Sequence, residues 1–181
     1  MGDREDMENC IADEVRDCVG THTLSDSWTL WAHLPHDTDW SMGSYRQILT
    51  FNSVESAISI SEILPHKMIK NCMLFLMRKG IKPTWEDQRN RTGGSFSYKV
   101  SNKIVQSTWK SLCYRLVGET LSTNQSTSCE INGITISPKK NFCVIKIWMA
   151  TCSKQDPSII KNIGTGIVSM GCLFKKHNPE Y

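Results

Sequence analysis

The sequence predicts an α+β fold: an antiparallel β-sheet with helices on one face and the other face left open. Three observations lead there. Apolar residues alternate over several short stretches bounded by turn residues. Other stretches carry a helical period or a helix cap. These elements follow the order β-β-α-β-β-α-β-β-α-β, and two strands before each helix do not match the strict alternation of a parallel sheet. A length of 181 residues suits a single domain.

Along the chain, "SWTLWAHL" places Trp28, Leu30, Ala32 and Leu34 on one side of a first strand. "PHDTDWSMGS" is a loop punctuated by Pro35 and Gly43, and "YRQILTF" is the second strand. Ser53 reads as the N-cap of an amphipathic helix, "SVESAISISEIL", that stops at Pro65. "CMLFLMR" is apolar throughout, as a strand covered on both faces would be, and "GIKPTWEDQRNRTGG" is a long loop. "SFSYKV" alternates as a strand. "KIVQSTWKSLCYRLVGE" is the strongest helix, with Ile104, Val105, Trp109, Leu112 and Leu116 along one side and Gly118 at its end. "STNQSTS" is a loop, "CEINGITIS" and "NFCVIKIWMAT" are strands joined by Pro138, Lys139 and Lys140, and "DPSIIKNIG" is a third, short helix capped by Asp156. "GIVSMGC" reads as the last strand and "LFKKHNPEY" as a basic tail.

The net charge of +3 is unevenly spread: residues 1–17 hold seven acids against two arginines, so that stretch carries −5 and the remainder +8. An acidic, flexible tail over residues 1–21 is expected to precede a basic domain over residues 22–181, suited to an anionic partner. No apolar run approaches the ~18 residues of a membrane span, so no membrane partner is expected. The eight cysteines form no CxxC pair and match no zinc spacing, which predicts reduced thiols. His33 and His36 lack a third metal ligand and read as a surface loop. No Walker loop, dinucleotide fingerprint or H-E-x-x-H is present, and Gly93-Gly94 reads as an isolated turn pair. The expectation is a binding protein that is no enzyme and needs neither cofactor nor metal.

Trp40, Trp85 and Trp148 stand in or beside loops and strand ends. An indole in a polar loop gains little from burial but makes a stacking plate for a base. Taken singly, each could instead close an edge of the core. Glu86, next to Trp85, tips the balance. A carboxylate accepts two hydrogen bonds at once, matching the adjacent N1–H and N2–H of guanine. A positively charged guanine would stack better still, because the indole face is negative, and nearby lysines would hold phosphates.

The stretch "GIKPTWEDQRNRTGGSF" is close to the pattern G-I-x-P-x-W-E-D-x-x-N-x-x-G-G-x-W, and "SWTLW", Trp40, "FNSVES", "WKSLCYRLVGE" and "KIWMAT" follow in matching order. In these motifs, over about residues 22–172, the chain resembles the cap-binding subunit of the eukaryotic translation initiation factor complex, a family that binds the 7-methylguanosine cap of messenger RNA. The resemblance implies a curved sheet with three helices on its convex back and the cap in its concave face. It implies that Trp40 and Trp85 sandwich the methylated guanine, that Glu86 binds N1 and N2, and that the Trp85 backbone N–H binds O6. Trp148 would touch the N7 methyl, and Lys139 falls where the family has a phosphate-binding Arg.

There are departures. Val144 stands where the family has a second phosphate-binding Lys, with Lys146 and Lys140 as possible substitutes, and Ser95 and Phe96 replace an Arg and a Trp. The family's partner-binding surface on the helical face maps to His22, Val54, Ile58, Lys110, Tyr114 and Gly118. There Ile58 replaces a Trp, Lys110 and Ser111 replace a Leu and a Glu, and Thr23 replaces a Pro. The expected activity is recruitment of capped mRNA for translation initiation by a cytoplasmic monomer, with a scaffold initiation factor or a dedicated divergent partner on the convex face. Two alternatives share the fold: a cap-binding repressor or decoy that recruits no scaffold, and a protein-interaction adaptor without cap binding.

Overall fold

A computed structural model describes residues 22–177, so the acidic stretch 1–21 lies outside the described residues. β1 (Thr23–His33), β2 (Tyr45–Ser53), β3 (Met73–Arg78), β4 (Gly94–Ser101), β5 (Ile131–Pro138), β6 (Phe142–Met149) and β7 (Leu173–Lys176) form one sheet. Its order is β2-β1-β3-β5-β6-β4-β7, and every pairing is antiparallel.

The alternation read from the sequence decides which side chains meet the helices. Trp28, Leu30 and Ala32 of β1, Leu74 and Leu76 of β3, and Cys143, Ile145, Ile147 and Met149 of β6 all enter one large core. Over it lie α1 (Val54–Ile63), α2 (His66–Asn71) and α4 (Val105–Val117). Ser53 caps α1 as expected, its Oγ accepting from the Ser56 N–H at 3.2 Å. α4 buries Val105, Trp109, Leu112 and Leu116 of the predicted stripe, while Ile104 stands at its N-cap and is partly buried. β3 is covered on both faces: Phe75 and Met77 point away from the helices and form a second cluster with Ile81 and Trp148. That cluster underlies the concave face.

Several elements differ from expectation. The third helix over "DPSIIKNIG" shortens to a 3₁₀ turn, Pro157–Ile159. Asp156 does cap it, but Ile160 turns extended and bridges Ser122, while Lys161 N–H donates to the Leu121 carbonyl at 2.9 Å. Pairing with that segment takes up the backbone groups a helix would need. The third helix on the back is instead α2, just after Pro65, where Met68 and Ile69 are buried. Two further short helices, α3 (Gln88–Arg91) and α5 (Gln125–Cys129), form inside predicted loops.

The last strand is β7, inside the stretch read as a tail, and residues 166–172 form no strand, Ile167 making only an isolated bridge to Ile163. β7 lies at the sheet edge, paired only with β4, and Phe174 packs edge-on against Phe96 at 4.9 Å. Exposed lysines on an edge strand hide its character in the sequence and discourage pairing with another chain.

The six described cysteines are free thiols. No helix of the described residues is long and apolar enough to cross a membrane.

Candidate nucleotide-binding site

A cavity of about 240 Å³ opens on the concave face, lined by Trp40, Tyr45, Met73, Phe75, Pro83, Thr84, Trp85, Glu86 and Trp148. Phe75 and Trp148 are buried, whereas Trp40 and Trp85 are 58% and 43% exposed. Two large indoles left half in water above a buried aromatic floor present the flat faces on which a planar ring can stack.

Each loop is built to present its indole. The Trp40 loop is pinned by Asp39, which accepts from both the Ser41 N–H and Oγ at 2.8 Å. Those bonds, the backbone one foremost, hold the Asp39 carboxyl below its ordinary pKa. Trp40 lies flat on the His33 ring, with centroids 4.2 Å apart and planes 6° apart. His33 is 2% exposed and bonds the Asp39 carbonyl through Nε2 at 2.9 Å. His33 is therefore a buried support for Trp40, not the surface-loop residue the sequence suggested. Among the described residues no group of three His, Cys, Asp or Glu side chains is placed to hold a metal.

The Trp85 loop explains the rest of its own motif. Asp87 caps α3 by accepting from Arg89 N–H and also accepts from Lys82 N–H, both at 2.9 Å. Asn90, with no exposed surface, donates to the carbonyls of Lys82 and Thr84 at 3.0 and 2.8 Å. Asn132 Nδ2 then donates to Arg89 O and Asn90 Oδ1. Asp87 and Asn90 fold the loop, and Trp85 and Glu86 are left facing the cavity. Burial, and then the charge of Glu86, raise the pKa of Tyr45 on the opposite wall.

Gly93 and Gly94 are not an isolated turn pair. A Cβ on Gly93 would meet the Met149 carbonyl oxygen at 1.8 Å, and one on Gly94 the Phe174 ring at 2.5 Å. Both glycines let neighbouring backbone and ring atoms close against the start of β4.

His177 was not singled out in the sequence. Its backbone N–H donates to Gly93 O at 2.9 Å, its Nδ1 donates to Asn90 O at 2.8 Å, and its ring lies 4.5 Å from Trp148. Burial, followed by the nearby Lys146 charge, lowers its pKa below the ordinary 6.5, with the Asn90 bond opposing. The unfolded chain therefore takes up this proton more readily than the folded one. The associated stability is present above about pH 6.5 and is lost as pH falls. Urea unfolding at pH 7.5, 6 and 5 is expected to show a falling midpoint, and the fall should be smaller in His177→Gln. An equal fall in both proteins would contradict this role.

Lys139 and Lys140 sit exposed in the turn between β5 and β6. Lys146 is half-buried, and its position two residues from Trp148 puts it on the same face of β6. Val144 shares that face, opposite Lys99, whose ammonium instead lies over the Phe142 ring at 4.5 Å.

The family model for eukaryotic initiation factor 4E matches residues 23–180. The chain belongs to the eukaryotic initiation factor 4E family. Eukaryotic translation initiation factor 4E-2 of Schizosaccharomyces pombe is 30% identical over 173 residues, covering 90% of this chain and 67% of that protein. A 4E homolog of Acanthamoeba polyphaga mimivirus is 45% identical over a shorter stretch of 62 residues, 34% of this chain and 23% of that protein. Among solved structures, Ascaris suum eIF4E-3 with m7G cap superposes with a TM-score of 0.65 at 24% identity, covering 74% of this chain and 76% of the other. Schistosome eIF4E with m7GpppG and 4E-BP gives 0.66 at 21% identity, covering 74% of each chain. At these identities the structural likeness speaks for the fold.

The 4E fold of this chain carries a second feature on its back. An apolar groove of about 390 Å³ runs between α1 and α4, lined by Leu24, Val54, Ala57, Ile58, Tyr114, Val117 and Gly118. Four of the six partner-surface residues expected from the sequence, Val54, Ile58, Tyr114 and Gly118, meet there, joined by Leu24, Ala57 and Val117, which the sequence did not mark. Ile58 is 46% exposed. His22 and Lys110 are outside the lining. His22 Nδ1 lies 2.7 Å from Glu55 Oε1, and its carbonyl accepts from Val54 N–H at 2.9 Å. Lys110 pairs with Glu62, which also accepts from the Tyr114 hydroxyl at 3.1 Å. That pairing holds Lys110 beside the groove rather than in its lining.

Proposed function

We propose that this chain binds the 7-methylguanosine cap of mRNA and brings capped mRNA to translation initiation as a cytoplasmic binding protein rather than an enzyme. One observation carries the reading: two half-exposed indoles and a carboxylate, Trp40, Trp85 and Glu86, line a single cavity floored by Trp148. Trp40 and Trp85 stack on the two faces of the base. Glu86 accepts from N1–H and N2–H, and the Trp85 backbone N–H donates to O6. Trp148 meets the N7 methyl, and Lys139, Lys140 and Lys146 supply positive charge for the phosphates.

Methylation at N7 leaves a positive charge on the base, which strengthens its attraction to an indole face by about 0.5–2 kcal/mol. Glu86 supplies base identity. Glu86→Ala is expected to cost about 1.5–3 kcal/mol of cap affinity, as for hydrogen bonds to a charged group, without unfolding an exposed loop position. Discrimination against an N7-methylated adenine nucleotide should shrink in parallel. Unchanged affinity in the variant would remove the carboxylate from the reading.

The groove on the helical face takes the protein partner, a scaffold initiation factor or a divergent equivalent. Ile58 offers less apolar area than an indole and no N–H donor, so a Tyr-x-x-x-x-Leu-apolar helix, the segment that the family resemblance implies for partners of this surface, is expected to bind weakly. Central aromatic contacts commonly account for ~2 kcal/mol or more at an interface. Calorimetry should show Ile58→Trp raising peptide affinity by roughly tenfold or more. Lys110→Leu alone should change little, because Lys110 is held by Glu62 outside the groove. Tight binding by the unaltered protein would contradict the assignment. Capture on cap-analogue resin separates the remaining alternatives: a decoy is retained without a scaffold, and an adaptor without cap binding is not retained.

A further inference from the structure

The positive charge beside the cavity includes a residue from the strand that the sequence concealed. β4 separates β6 from β7, and its residues Ser95 and Ser97 face the concave side between them. Ser95 is paired with Trp148 on one side and Lys175 on the other, while Ser97 is paired with Lys146 and Leu173. Lys175 and Lys146 are thus diagonal neighbours across one strand, with only small hydroxyl side chains between them. With strands about 4.8 Å apart, Lys175 stands roughly 10 Å across the sheet from Trp148, close enough for its long side chain to reach back over the serines.

We propose that Lys175 completes, with Lys146 and Lys139, a three-lysine seat for the phosphate chain of the nucleotide whose base enters the Trp40–Trp85 cavity. The inference rests on reading that cavity as a cap site. None of the three lysines makes an ion pair with a carboxylate among the described residues. Lys146 is half-buried, and its pKa is lowered by that burial and then by the charges of Lys175 and Lys139. Like charges gathered without a counterion are relieved by a polyanion laid across them. The seat adjoins the base cavity through Lys146, two residues from Trp148, so a phosphate chain attached to the bound nucleoside passes directly onto it. Lys175 itself is exposed, as a residue that grips a ligand from solvent must be.

The test is a fluorescence titration of the whole protein and of Lys175→Gln and Lys175→Arg with 7-methylguanosine, its 5′-monophosphate and its 5′-triphosphate. Lys175→Gln should weaken the triphosphate by roughly five- to tenfold while leaving the nucleoside unchanged. Lys175→Arg should remain near the parent protein. The salt dependence of triphosphate affinity should be weaker in Lys175→Gln than in the parent protein. Triphosphate affinity equal in the parent and Lys175→Gln would overturn the seat while leaving the base site intact. So would an equal loss for nucleoside and triphosphate. If the parent protein binds none of the three ligands, the base-site reading falls, and the seat falls with it.

Discussion

Replacing both Trp40 and Trp85 by alanine is expected to abolish measurable cap binding while the fold persists. Each plate contributes about 1–3 kcal/mol of base stacking, so their joint loss, taken as additive, should lower affinity by about 30-fold or more. Both indoles are about half exposed, so their removal takes little from the core. The structure adds a distinction between the two single variants. Trp40 is backed by the parallel His33 ring, which would still offer an aromatic surface after Trp40→Ala. No aromatic ring contact of that kind backs Trp85 among the described residues. Trp85→Ala should therefore be the more damaging single change. Calorimetry on the three variants checks the order, and a double variant that keeps parent affinity would contradict it.

The largest effect on stability is expected at Arg78. Its guanidinium meets Asp26 and Glu119 at 2.7 Å, donates from Nε to the Ile131 carbonyl at 2.8 Å and from Nη2 to that of Ser128 at 3.2 Å, and lies 4.7 Å from the Trp28 ring centroid. The side chain is only 13% exposed, and that of Glu119 only 10%. One residue thus joins the end of β3 to β1, to the segment after α4, to α5 and to the start of β5. Arg78→Ala leaves the Glu119 carboxylate buried without its cation and takes one donor from each of the Ile131 and Ser128 carbonyls. Removing one member of such a pair costs about 3–5 kcal/mol when burial is complete. The half-exposed Asp26 pulls the expectation toward about 3 kcal/mol. A urea midpoint within about 1 kcal/mol of the parent would show that solvent replaces the network. The same arginine sits shortly before the Trp85 loop, so cap affinity in this variant should be compared under conditions where it is fully folded.

The chain's own pattern carried the central fold. Trp28, Leu30 and Ala32 alternate because β1 has one face on the helices, and the unbroken run in β3 reflects cover on both faces. The site was legible for the opposite reason. Trp40 and Trp85 stand in polar loops where burial gains little, with Glu86 next to one of them, and the structure leaves both indoles about half exposed at one cavity. The parts that stayed hidden depend on contacts distant in sequence. Asp87 and Asn90 read as ordinary polar loop residues until their bonds to Lys82, Thr84 and Arg89 are seen. His33 shows its role only through the ring of Trp40 above it. β7 escaped because its inward residue is Phe174 while Leu173, Lys175 and Lys176 are exposed, and with it went Lys175 and His177. Residues 156–164 carried good helix signals, but backbone pairing with residues 121–123 outweighed them.

The central claim is recognition of a positively charged guanine, and one titration tests it most directly. Tryptophan fluorescence of the parent protein is followed with 7-methyl-GTP and with unmodified GTP under identical salt and pH. The two ligands share base edge, sugar and phosphates and differ in the N7 methyl and the charge it brings, so their affinities isolate what the Trp40 and Trp85 plates and Trp148 contribute. An attraction of about 0.5–2 kcal/mol per cation–indole contact, made on both faces, predicts tighter binding of the methylated ligand by roughly tenfold or more. Equal dissociation constants for the two nucleotides would contradict the account.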